Sequence, residues 1–205
     1  MNRLRVAVAT LCLGVAVAAC GGGGASSSAS PTPSATNQPS AASSNLALPS
    51  LPSSAKDLEA LIPDKVGDIT LQKSSMQGDA FVGVGGASDD IQHFLDGLGV
   101  SPEDVAVAFG FGVSPDAQRE FGMFIFRAEG AGADRLLDVF KEATDADAES
   151  PLNWQSAEVG GKQVQRATAP DNPKRILFLY ASSDVLVSLA VTREDDAAEA
   201  LEALP

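Results

Sequence analysis

Between Gly21 and Ser53 the chain carries no Lys, Arg, Asp or Glu and consists largely of Gly, Ser, Ala, Thr and Pro. A stretch of that composition cannot bury enough apolar surface to offset the entropy lost on ordering, so residues 20–53 read as a disordered linker. Any fold is therefore confined to Ser54–Pro205, about 150 residues, the usual size of a single domain with a core of its own. This part contains no cysteine and must stand without disulfides. It holds all 27 acidic residues and every basic residue except Arg3 and Arg5, a net charge of about −15. Such a field repels phosphate backbones and anionic headgroups, which argues against nucleic acid as a partner and against electrostatic docking on a membrane.

Within residues 54–205 the apolar spacing sets the elements. Ser54 with Asp57 reads as a capping box opening a short helix with Leu58, Leu61 and Ile62 inside, stopped by Pro63. A strand is expected over Ile69–Lys73, then a glycine loop at Gly83, Gly85 and Gly86. Ser88 caps a helix whose Ile91, Phe94, Leu95 and Leu98 share one face, and Gly99 ends it. In the next strand Val105, Val107, Phe109, Phe111 and Val113 alternate with Ala106, Ala108, Gly110 and Gly112. One side is bulky and the other small enough for a helix to approach closely. After the turn at Ser114-Pro115-Asp116, Phe121–Ala128 returns as a strand, and a helix follows with Leu136, Leu137, Phe140 and Ala143 on its inner side.

Gly160-Gly161 is the pivot of a second hairpin, between Trp154–Val159 and Lys162–Ala167. Two more strands, Arg175–Tyr180 and Val185–Val191, precede a helix capped by Thr192 with Asp195 and carrying Ala197, Ala200, Leu201 and Leu204. Hairpins interrupted by helices give an α+β fold, an antiparallel sheet with helices largely on one face. The hairpin-then-helix order occurs twice, and Leu58-Glu59-Ala60-Leu61 recurs as Leu201-Glu202-Ala203-Leu204. This permits a repeated unit, though short identities arise easily in an alanine-rich chain.

The amino-terminal residues carry an address. Asn2-Arg3-Leu4-Arg5 leads into an apolar run from Val6 to Ala19, shorter than the roughly 20 residues a spanning helix needs, as in a secretory signal. Its close, Val17-Ala18-Ala19-Cys20, resembles the lipobox of bacterial lipoproteins. The resemblance implies that residues 1–19 are a signal peptide, that Cys20 receives a diacylglycerol and often a further acyl chain such as palmitate, and that the mature chain stays on the extracytoplasmic face of the cell membrane. Two or three acyl chains hold a protein there stably, where one does so only marginally. Cys12 lies within the signal and would leave with it. The whole layout is similar to that of small secreted bacterial lipoproteins, a likeness that specifies no activity.

Residues able to carry chemistry are few. His93, the one histidine, falls opposite the apolar face of its helix and is expected in solvent, with no second imidazole and no Gly-x-Ser-x-Gly elbow to make a metal or nucleophile site. Gly83-Val84-Gly85-Gly86 lacks the lysine of a phosphate loop and is followed by Asp89 and Asp90, which would repel a phosphate. Asp145, Asp147 and Glu149 alternate like the start of a calcium loop, but Ser150 and Ser156 stand where its glycine and glutamate belong. No catalytic, cofactor or metal residues are assigned, and lipid attachment at Cys20 is the only site. Seven phenylalanines, Phe109, Phe111, Phe121, Phe124, Phe126, Phe140 and Phe178, form either a core or the lining of a pocket for an acyl chain. The expectation is a non-catalytic domain binding a protein or cell-envelope partner, with a carrier or sensor of a hydrophobic small molecule as the alternative.

Overall fold

A computed structural model describes residues 55–82, 88–147, 150–169 and 172–205. The lipobox, the linker, Ser54 and the glycines at 83, 85 and 86 lie outside the described residues. The class is α+β. Seven strands, β3 (Gln72–Gln77), β4 (Val105–Val113), β5 (Glu120–Ala128), β6 (Gln155–Val159), β7 (Lys162–Thr168), β8 (Ile176–Ser182) and β9 (Val185–Val191), form one antiparallel sheet in the order β3-β4-β5-β9-β8-β7-β6. A hairpin of β1 (Lys65–Val66) and β2 (Ile69–Thr70) stands apart from it. Helices α2 (Gly78–Val82), α3 (Ser88–Leu98) and α4 (Ala133–Asp147) cover one face, while α1 (Lys56–Glu59), α5 (Glu194–Glu202) and the β1–β2 hairpin cover the other.

Most helical residues thus lie on one face, as expected, but the sheet has a core on each side. Strand periodicity divides them. Val105 and Val107 join Phe126, Leu95 and Leu136 under the long helices. Ala106 and Ala108, one residue out of phase, join Phe121, Phe178, Leu58 and Leu201 on the opposite side. The small face of β4 admits its neighbours as the alternation demanded. A Cβ on Gly110 would stand 2.7 Å from Cγ2 of Ile62, and one on Gly112 would stand 2.6 Å from Cγ2 of Ile69. Both are closer than real Cβ contacts, so glycine here is what lets the segment after α1 and the hairpin lie flat on the strand.

Several local expectations fail for identifiable reasons. The capping box expected of Ser54 with Asp57 involves a residue outside the described ones; α1 itself is preceded by Ala55 with no side-chain cap, and the Asp57 carboxylate pairs with the Arg127 guanidinium. Thr192 with Asp195 does not cap α5 either. Asp195 pairs with Arg193 at 2.7 Å, and the Thr192 hydroxyl oxygen accepts from the backbone N–H of Glu120 at 3.3 Å. The strand expected over 69–73 is broken at Leu71, whose N–H turns to the Asp64 carbonyl at 3.0 Å, separating β2 from β3. Helix α2 was not expected. The repeat does not carry into the packing, since α4 and α5 follow their hairpins onto opposite faces of one sheet.

Other expectations hold. Gly99 has φ +76°, and the N–H groups of Val100 and Gly99 close back on Leu95 and Asp96 at 3.2 and 3.1 Å, the Schellman arrangement that ends α3. Gly160 and Gly161, with φ +57° and +70°, make the two-residue turn of the β6–β7 hairpin.

Residues 55–71 form a strap across the small face, and polar ties hold it down. Asp57 binds Arg127, and Lys73 reaches Asp64 at 2.6 Å and the Ile62 carbonyl at 3.1 Å. Arg119 bridges Asp68 to the buried Asp196 of α5, the latter at 2.9 Å, while Glu199 accepts the Gly67 N–H at 3.0 Å. The hydrogen bond from Arg127 holds the Asp57 carboxyl below its ordinary value of 3.8. A depressed carboxylate contributes stability that is present above its unfolded pKa and lost as pH falls through the folded one. The strap should therefore loosen below about pH 4, read as faster hydrogen exchange over residues 55–71, and an Asp57→Asn variant should show that looser state already at pH 7.

The phenylalanines sort by depth. Phe126 and Phe178 have no exposed surface and Phe121 almost none, whereas Phe109, Phe124 and Phe140 are half-buried. Phe126→Ala should cost about 3 to 5 kcal/mol in urea unfolding, from lost transfer energy plus a cavity. Phe109→Ala, at a half-buried position, should cost clearly less.

Candidate functional site

The register of the sheet lays the bulky face of β4 out in rows. In the innermost, Val107, Phe126, Leu186 and Ala181 sit side by side across β4, β5, β9 and β8. This row lies under the helices. Phe94 meets Phe126 edge-on at 5.4 Å between ring centroids, and Phe81 does so at 6.4 Å. Next come Phe109, Phe124, Ser188 and Leu179, where Phe140 of α4 leans on Phe124 at 6.0 Å and meets Phe94 edge-on at 6.0 Å. The third row is Phe111, Gly122, Ala190 and Leu177.

In that third row Phe111 is exposed, while Gly122, Ala190 and Leu177 are half-buried. Phe111 is 40% exposed and Val113, one step further out, 54%. Lengths explain it. A nine-residue strand runs about 30 Å, while the 11 residues of α3 span about 16 Å, and α4 crosses toward β8 and β9 instead of following β4. Register therefore sets the exposed Phe111 beside the small residues Gly122 and Ala190, with the half-buried Leu177 beyond them. Phe124 and Phe140 lie inward of this row. At the outer end the exposed Glu120 carboxylate stands 3.7 Å from the Arg175 guanidinium. Exposed aromatic surface continuous with a buried aromatic cluster marks a recognition surface more often than a single stray apolar residue does.

The opposite face carries a half-open depression of about 260 Å³ between Leu61, Tyr180, Val187 and Leu204. The phenylalanines do not line it, and the two features are separated by the sheet.

Residues singled out for chemistry stay apart. His93 is exposed, on the outer side of α3. Asp145 is engaged inside the fold, its Oδ1 accepting from the Trp154 indole N–H at 3.1 Å and the Leu152 N–H at 3.0 Å, which pins the end of α4 to the segment leading into β6. Glu149 lies outside the described residues. Among the described residues no three of His, Cys, Asp and Glu converge in a way that could hold a metal ion, and no helix is long and apolar enough to cross a membrane. Residues the sequence reading did not single out are Gly122, Ala190, Glu120 and Arg175. Their signal was register, which needs the strand order.

Comparison of the chain with protein-family models, with curated proteins and with solved structures finds no match.

Since Phe111 and Val113 are partly exposed, replacing both with Ser should cost less than about 2 kcal/mol and should reduce binding of an apolar fluorescent probe. A loss above about 2 kcal/mol in urea unfolding would mean the row is covered.

Proposed function

We propose that this protein is a lipid-anchored, extracytoplasmic binding lipoprotein without chemistry of its own, held to the cell membrane through Cys20 and engaging a protein partner of the cell envelope at the open end of its sheet. The observation that carries the reading is the exposed Phe111, set beside Gly122 and Ala190 in the sheet and continuous with the half-buried Phe109, Phe124 and Phe140. Two rows over four strands extend about 19 by 14 Å, far below the roughly 800 Å² per partner of a stable interface. A patch of that size suits one apolar anchor side chain within a transient contact. The domain's charge of about −15 favours a net-basic partner, which would associate faster at low salt. The dispersal of His93 and the carboxylates, with the sequence's lack of a nucleophile motif, supports a non-catalytic role.

Carriage of a hydrophobic small molecule is the competing reading, favoured by the same exposed aromatics. Native mass spectrometry of the protein taken from its own membrane, before and after organic extraction, separates the two. A complex with a second protein that weakens with salt and is lost in Phe111→Ser supports the proposal. A lipid-sized adduct removed by extraction replaces it with the carrier, and a protein complex indifferent to Phe111→Ser moves the site elsewhere.

The anchor has its own test. Cys20→Ser should give an unprocessed or released chain without lipid, and a normally processed, membrane-held Cys20→Ser protein would remove the lipoprotein assignment.

A further inference from the structure

Residues 21–45 contain no Leu, Ile, Val, Met or aromatic side chain, and then Leu46, Leu48 and Leu51 arrive together in Asn45-Leu46-Ala47-Leu48-Pro49-Ser50-Leu51-Pro52. A solvated spacer gains nothing from leucines, which leave water whenever a surface is offered. Both Leu48 and Leu51 stand immediately before a proline, which pushes them into extended or polyproline backbone. With three residues per turn in that conformation, Leu48 and Leu51 project from the same side, about 9 Å apart. The sequence thus presents a paired apolar edge just ahead of the domain.

A seat for it lies where the chain comes in. Ala55 is buried, and two residues later Asp57 binds Arg127. Arg127 is directly opposite Val185 in the sheet, and Val185 lines the half-open depression of about 260 Å³ together with Leu61, Tyr180, Val187 and Leu204. The depression therefore borders β5, the strand whose Arg127 ties the start of the domain. Leu51 is four residues from Ala55 and reaches at most about 14 Å, and Leu48 at most about 25 Å. The hollow is smaller than most ligand sites, which run from about 300 Å³ upward, and is scaled to one or two aliphatic side chains.

We infer that Leu48 and Leu51 dock in this depression, so that the last part of the linker belongs to the folded unit. The occupant is the chain itself, and the inference stands independently of lipidation at Cys20 and of any partner at Phe111.

The full chain with Cys12→Ala and Cys20→Ser has no other cysteine, so introduced pairs report cleanly. Ser182→Cys, on the rim of the depression, is combined in turn with Ala42→Cys, Ala47→Cys, Ser50→Cys and Ser53→Cys, and the rate of intramolecular disulfide formation is measured. An undocked chain gives rates that change smoothly with loop length. Docking gives a local excess at Ala47 and Ser50, at least tenfold over Ala42, which disappears in a Leu48→Ser/Leu51→Ser background. Those substitutions leave every residue of the sheet and its two cores unchanged, so loss of the excess reports loss of docking and not unfolding of the domain. A smooth series untouched by the leucine changes overturns the inference, and cross-links between two chains overturn it in favour of a second copy as occupant.

Discussion

The alternation of β4 is the constraint on which the rest of the structure depends. Its valines and phenylalanines point one way and its alanines and glycines the other, so each face accepts a different covering. Helices standing off by the width of large side chains suit the bulky face. The small face accepts backbone almost in contact, and only a thin layer, the strap of residues 55–71, fits there. Enlarging Gly110 or Gly112 would lift Ile62 or Ile69 from the sheet and with it the ties from Arg119, Arg127 and Lys73.

The strap answers a problem of size. A helix of four residues and a hairpin of two-residue strands have little intrinsic stability. They persist because Leu58, Ile62, Val66 and Ile69 are buried and because the acidic residues of this segment find fixed cations. In a domain so rich in carboxylates the basic residues are scarce, and Arg119, Arg127 and Lys73 are all committed to this junction.

Periodic information was legible in the sequence and pairing information was not. The helix with Ile91, Phe94, Leu95 and Leu98, the two faces of β4 and the Gly160-Gly161 turn rest on spacing or on one residue's conformational freedom, both local properties. The cap expected of Thr192 with Asp195 failed because the neighbouring Arg193 took the carboxylate, and Asp57 is likewise engaged by the distant Arg127, pairings that no local pattern records. The seven phenylalanines looked like one group because sequence gives each strand's alternation but not which phase of one strand faces which phase of the next. Once β4, β5, β9 and β8 are aligned, Phe121 and Phe178 separate from Phe109, Phe111, Phe124 and Phe126, and the place of Gly122 and Ala190 beside Phe111 becomes visible.

Ala55 and Phe111 lie on opposite sides of a single sheet. A body resting against Phe111 therefore does not contend for space with whatever precedes Ala55, and neither has to move for the other to be present. Tension applied through the preceding residues loads the strap and its arginine ties first, peeling them from the small face, while the aromatic rows on the far side keep their geometry. The sheet separates the side on which the chain enters the domain from the side that exposes Phe111.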